Sequence, residues 1–209
     1  MKKSCKFRIY PNKNQEVKLI KTLDTCRHLY NSALAERKQQ AELYQLPLPR
    51  DWITYQEQAN RLAEEKNSYQ LEVHSQVLQD VLRRLDKNFK NFFNGNGYPR
   101  FKSKDRYNSF TYPQSGFELE DGKLKLSKIG NIRIIQHREI EGKVKTCTIK
   151  RDVEEWYAIF VVEIEKTVPI EVKSKVGVDV GLSSLITLSN GEQLAPPLFF
   201  RKSEEKLAK

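Results

Sequence analysis

The chain has 209 residues, 38% hydrophobic and 31% charged, with a formal net charge of +10 and a pI near 9.4. That length supports one well-packed core, or one and a half domains, and a basic excess of this size points to a polyanionic partner, nucleic acid before membrane. Three cysteines, Cys5, Cys26 and Cys147, far apart and without a CxxC pair, argue against a disulfide framework and a zinc site and fit a reducing, cytoplasmic setting, while the lack of a signal peptide or a membrane-length apolar run argues against a membrane role.

Residues 4–10, SCKFRIY, alternate Phe7 and Ile9 with Lys6 and Arg8 and predict a short strand. PNKNQ turns the chain, and Asn12 with Gln15 three residues on is a capping box for a helix running to about Leu43. Its apolar line is Val17, Ile20, Leu23, Cys26, Tyr30, Ala33 and Leu34. LPLPR at 46–50 breaks it. Thr54 and Glu57 form a second capping box, opening a helix anchored by Leu62. This first helix pair invites comparison with a helix-turn-helix. The connection carries Pro47 and Pro49 and is longer than the usual tight turn, so that docking geometry is not adopted.

A third helix is predicted from Ser75 to about Phe93, with a buried line of Leu78, Val81, Leu82, Leu85, Phe89, Phe92 and Phe93. Its opposite face carries Gln76, Gln79, Arg83, Lys87 and Lys90. The plainer reading is a solvated face; two glutamines and three cations on one line also suit a duplex groove or its phosphates. NGNGYPRFKSKDRY, 94–107, interleaves Arg100, Lys102, Lys104 and Arg106 with Tyr98, Phe101 and Tyr107. Cations hold a sugar–phosphate backbone and rings stack on exposed bases; the alternative is a loop whose Phe101 plugs the core.

After Phe110 the period changes from helical to alternating. FELEDGKLKL carries an Asp121-Gly122 hairpin turn, alternation returns around Ile132 and Ile134, Glu141-Gly142 turns into VKTCTIKR, and Trp156–Glu165 alternates until Pro169. Residues 108–168 thus read as an antiparallel meander that closes into a small barrel with the first strand. From Lys175 a new unit starts: strand, turn, strand, an Asn190-Gly191 turn, a third short strand, and a charged helix opening at FFRKSEEKLAK. Within its first strand, among Val176, Val178 and Val180, sits one carboxylate, Asp179. Alone, such an aspartate is most simply a turn cap.

Five stretches carry a resemblance: CRHLYNSALAERK at 26–38, QDVLRRLDKNFKNFF at 79–93, GYPRFK at 97–102, GVDVGLSSLITLSNGE at 177–192 and FFRKSEEKLAK at 199–209. In this order they resemble the N-terminal half of TnpB, the IS200/IS605-type OrfB transposase, an RNA-guided nuclease related to the Cas12 effectors. The resemblance implies an α+β fold: a small antiparallel β-barrel of the wedge kind, residues 1–13 plus 108–170; an inserted helical recognition domain, 14–107, with the basic-aromatic loop; and from 172 to 209 the opening β-hairpin of an incomplete RNase H-like (RuvC) nuclease domain. By position, Tyr55, Ser75, Gln79 and Thr111 match residues that contact the motif beside the target. Ser75 stands where a lysine is common. Asp179 matches the first of three acids that bind Mg²⁺ in the nuclease site. The later glutamate, the zinc element and the final aspartate have no counterpart here, and Glu192, Glu204 and Glu205 do not match them.

The resemblance therefore implies guide RNA and target DNA as partners, and a transposon-encoded fragment that holds nucleic acid but does not cut by itself, since one carboxylate is too few to organise Mg²⁺. The alternatives are a nuclease-dead DNA- or RNA-binding regulator of transposition, or half of a split Mg²⁺-dependent endonuclease whose C-terminal half is supplied separately. An unfinished sheet leaves an open edge and an uncovered apolar face, so residues after about 172 are expected to be the least stable.

Overall fold

In a computed structural model, which describes residues 1–43, 53–120, 122–165 and 174–207 (without the side chains of 202, 205 and 206), the alternating start of the chain forms strand β1, Lys2–Tyr10, with Cys5, Phe7 and Ile9 turned inward and buried. Helix α1 spans Lys13–Leu43. The Asn12 side chain accepts from Gln15 N at 2.9 Å and the Gln15 side chain accepts from Asn12 N at 3.0 Å, a reciprocal cap. Its buried stripe is Leu19, Leu23, Cys26, Tyr30, Ala33, Leu34 and Arg37. Val17, expected on that stripe, is 53% exposed. Two successive steps of three residues swing a helical line back by about 120°, so Val17 cannot share a face with Leu23, and Leu19 takes its place.

Pro47 and Pro49, the expected helix break, lie outside the described residues. Helix α2, Tyr55–Glu64, opens on the Thr54–Glu57 capping box and buries Leu62. A single-turn helix α3, Ser68–Leu71, follows on a second box, Asn67–Gln70. Helix α4, Ser75–Phe93, buries Val77, Leu78, Val81, Leu82, Leu85 and Phe89. Phe93, expected in the core, is 69% exposed. In that last turn the Tyr98 ring meets Phe89 and Phe92 at centroid distances of 5.7 and 5.1 Å, and Phe93 is left outside.

Six strands follow: β2 Ser109–Tyr112, β3 Phe117–Glu120, β4 Lys123–Leu126, β5 Gly130–Ile135, β6 Lys143–Asp152 and β7 Glu155–Glu163. With β1 they form one antiparallel sheet in the order β2-β6-β7-β1-β5-β4-β3. The first strand thus joins the two halves of the later meander. β2 and β3 are opposite edges of the ladder, yet only residues 113–116 connect them. Five Cα steps reach at most about 18 Å, whereas a flat seven-stranded sheet is about 29 Å wide. The sheet must curl, and it does: Tyr112 on β2 contacts the Phe117 ring on β3 and donates to Ser127 O at 3.1 Å. No ladder joins β2 to β3 among the described residues, so the expected ring is a curled half-barrel. Its concave side and the α1–α4 stripes share one core from Cys5 to Phe160. The β3–β4 register, Glu120 opposite Lys123, leaves a two-residue turn; Gly122 supplies φ +71°, while Asp121 lies outside the described residues.

Met1–Lys166 forms one compact unit and Thr167–Lys209 a second. The second contains β8 Val178–Asp179, β9 Ile186–Leu188 and β10 Gln193–Leu194, antiparallel in the order β10-β9-β8, then helix α5, Phe199–Leu207. Gly191 turns β9 into β10 at φ +92°. The apolar run around Asp179, shaped like a core strand, is open: Val178 is 58% exposed, with Val176 and Val180 also exposed. No helix among the described residues is long and apolar enough to cross a membrane.

Candidate nucleic-acid interface

Helix α4 presents Gln76, Gln79, Arg83, Lys87 and Lys90 opposite its buried stripe, three and four residues apart. Three side chains fix this helix against its surroundings. Gln76 accepts from both the backbone N and the hydroxyl of Ser115 at 3.0 Å, tying the first turn to the β2–β3 connection. Arg83 donates through Nε to the Tyr55 hydroxyl at 3.1 Å, with its guanidinium 5.9 Å from that ring. Arg84, one residue on, pairs with Asp80 at 3.0 Å and donates to Ser109 O at 3.0 Å and Thr111 Oγ1 at 2.5 Å. Thr111 also shares a hydrogen bond with Thr148 at 2.8 Å. Burial pushes the Asp80 carboxyl pKa up, and the neighbouring Arg84 opposes that.

The residues matched to motif contacts are thus only partly assembled. Tyr55 is brought to Arg83, and Thr111 to Arg84; Gln79 is half-buried on α4 and Ser75 is exposed at its first position. Lys87 is exposed, and Lys90 pairs with Asp86 at 3.0 Å. In the 94–107 loop, Tyr98 is half out of its aromatic contacts, and Arg100 and Lys104 are exposed. Phe101 is 51% exposed and does not plug the core; Tyr107 fills that role, buried against Tyr30. Burial pushes the Tyr107 phenol pKa far up. Lys102 is held by its backbone, which exchanges two hydrogen bonds with the Asn31 side chain of α1, at 2.8 and 2.9 Å.

Arg84, Asn31 and Ser115 hold Thr111, Lys102 and Gln76 in place, and the residue pattern alone did not single them out. Arg84 had a signal: Asp80 stands four residues before it, so one arginine of the Arg83-Arg84 pair was committed to an ion pair. Asn31, a weak helix former in mid-helix, also had one. Ser115 had none.

Asp179 belongs to the second unit and is described there alone. It is exposed in β8, opposite Thr187 of β9. Among the described residues no three His, Cys, Asp or Glu side chains gather into a group that could hold a metal ion. Asp179 offers one carboxylate, whereas a Mg²⁺ ion takes several oxygen ligands.

The sequence comparisons point to one lineage. Residues 1–45 match the family model described as the helix-turn-helix domain of IS605 OrfB proteins. The described part of that stretch is one strand and one unbroken helix. The chain is 32% identical to InsQ of Escherichia coli (strain K12), named there as a candidate RNA-guided DNA endonuclease, over 98% of this chain and 51% of that protein. It is also 32% identical to a Streptomyces pristinaespiralis protein of the same designation, over 100% of this chain and 53% of that one. The chain therefore spans about half the length of these curated relatives. Among solved structures it resembles a chain of the Cas12f1–sgRNA–target DNA complex, at 13% identity and a TM-score of 0.44, over 100% of this chain and 60% of that one. Along its whole length the chain is a homologue of the transposon-associated IS605 OrfB/TnpB-type RNA-guided DNA endonucleases.

Proposed function

We propose that this chain is the nucleic-acid-holding part of an RNA-guided DNA endonuclease, with guide RNA and target DNA as its partners. In this reading the half-barrel is the wedge, residues 1–13 and 108–170, the helices of 14–107 are the recognition domain, and 172–209 opens a RuvC-type nuclease domain in which Asp179 is the first of several Mg²⁺ ligands. Base pairing by the guide supplies sequence choice, and the protein reads a short flanking motif through Tyr55, Ser75, Gln79 and Thr111. The basic residues Arg83, Lys87, Lys90, Arg100, Lys102 and Lys104 hold the phosphates, with Gln76 beside them and Tyr98 and Phe101 as stacking surfaces.

The observation that carries this reading is the Tyr55–Arg83 contact on the exposed side of α4. It joins an aromatic ring and a cation on two helices, and the same α4 also borders a basic loop that Asn31 pins in place. One carboxylate does not organise a metal-assisted cut, so these residues by themselves are expected to bind rather than cleave.

The test is to express the chain with its native flanking DNA, purify it, and sequence the RNA that accompanies it. One discrete RNA with defined ends, mapping beside its gene, is the expected result. Heterogeneous RNA that washes off with salt would overturn guide binding and favour a DNA-binding regulator.

A further inference from the structure

We propose that a cavity between α4 and the 94–107 loop is an anion pocket that seats one phosphodiester of a bound polynucleotide. The inference rests on the nucleic-acid-binding reading above and gives that surface one anchoring point.

The cavity has a volume of about 220 Å³, and its walls include Arg84 and Lys87 from α4, Lys102 and Arg106 from the loop, and Asn88 and Tyr107. Among the described residues no acidic side chain lines it. Arg84 is spent on Asp80, Ser109 and Thr111 and forms wall. The other three cations, Lys87, Lys102 and Arg106, have no ion pair or side-chain hydrogen bond among the described residues. One turn on, by contrast, Lys90 has Asp86 as its partner. Three unpaired cations around one dent repel each other, and an anion placed among them relieves that.

The positions are held before any ligand arrives. Lys87 and Asn88 stand on a packed helix, with Asn88 donating to the Tyr30 hydroxyl at 3.0 Å. Lys102 is fixed through its backbone by Asn31, and Arg106 sits in a 3₁₀ turn closed by its own N–H on Ser103 O at 3.1 Å. Such preorganisation lowers the ordering cost of binding. The volume equals the liquid-phase share of about seven waters, enough for a phosphate group and too small for a whole nucleotide stack. The wall also contains Tyr107, whose buried hydroxyl has no partner among the described residues.

The test uses the full chain in fluorescence-anisotropy titrations across a salt series. The probes are a short fluorescein-labelled single-stranded RNA and a DNA duplex of the same length. Lys87→Gln/Arg106→Gln is compared with Lys13→Gln/Lys123→Gln, which removes the same charge elsewhere, and thermal midpoints check that both variants fold. The pocket variant is expected to bind about tenfold more weakly, with a log K against log salt slope shallower by about one than that of the control variant. A loss on the RNA arm alone assigns the phosphate to RNA, a loss on the duplex alone assigns it to DNA, and a loss on both means a shared backbone site. If the wild-type chain binds but the two variants behave alike, the pocket is overturned while the broader reading stands. If the wild-type chain binds neither probe, both fall.

Discussion

Asn31 acts on the loop as the edge of a strand would. Its side-chain amide accepts from Lys102 N and donates to Lys102 O, two hydrogen bonds between residues 71 apart in the chain. Removing it leaves both backbone groups of Lys102 to water and frees the loop around Arg100 and Lys104. Asn31→Ala is expected to cost about 1–2 kcal/mol and to speed tryptic cleavage within 94–107; an unchanged cleavage rate would refute the clamp. At Cys26 the environment acts on a proton. Burial pushes the thiol pKa from 9.0 up to about 12, with Arg84 pulling it slightly back. The unfolded thiol ionises first, so the folded state holds the proton more tightly. That stability is complete below pH 9 and is lost as pH rises from 9 towards 12, by about 1.4 kcal/mol per pH unit. Cys147 is pushed up by burial in the same sense. Thermal melts from pH 8 upward should show a steeper decline for wild type than for Cys26→Ala, and parallel declines would show that the thiol ionises freely when folded.

Two turns decide how well β6 and β7 are held. Asp152 faces Glu155 across a two-residue connection whose first residue, Val153, has φ +55° and is 86% exposed. A β-branched side chain is strained there and buries nothing in return, so Val153→Gly is expected to stabilise the chain by about 1 kcal/mol, read as a raised thermal midpoint. At the other end of the hairpin, Gly142 has φ +89°, and a Cβ added to it would overlap the Glu163 carbonyl oxygen. Gly142→Ala is expected to destabilise by about 2 kcal/mol or more, and a neutral result would mean the β6 entry can shift. These elements also show what was readable beforehand. Strict alternation marked β1 and β7, and two polar caps marked α1 and α2, because both signals act within a few residues. The phase of α1 was misjudged at Val17, and the exposure of Phe93 was missed, because which side of a helix is covered is set by distant partners. The central place of β1 and the curl of the sheet come from pairings across the whole unit, such as Ile9 with Trp156 and Ile134. The site followed the same division. The cations of α4 and the loop were legible as types in a pattern, whereas the Tyr55–Arg83 contact joins residues 28 apart and had no local trace.

At the scale of the molecule, stability is concentrated in the first unit. Every buried side chain among the described residues lies between Cys5 and Val162. The second unit offers strands of two or three residues, and Val178, Leu194, Phe199, Phe200 and Leu207 are exposed. A small sheet with few ladder bonds and no buried apolar face opens at low cost. The first unit has what a domain needs on its own: a contiguous core, side-chain caps on α1, α2 and α3, and a sheet whose central strand is paired on both sides. A chain comprising residues 1–165 is therefore expected to unfold cooperatively, with a thermal midpoint within a few degrees of the full chain. Limited trypsin digestion of the full chain should cut at Lys175 and Arg201 before it cuts α1 or α4. If digestion spared residues 174–207 while cutting the helices, or if 1–165 melted without cooperativity, the second unit would have to carry stability that its exposed side chains do not indicate. The same fragment separates the roles by binding. Because Tyr55, the α4 cations and the 94–107 loop all lie within 1–165, its affinity for nucleic acid should match that of the full chain, and a loss would move part of the interface to the strands around Asp179.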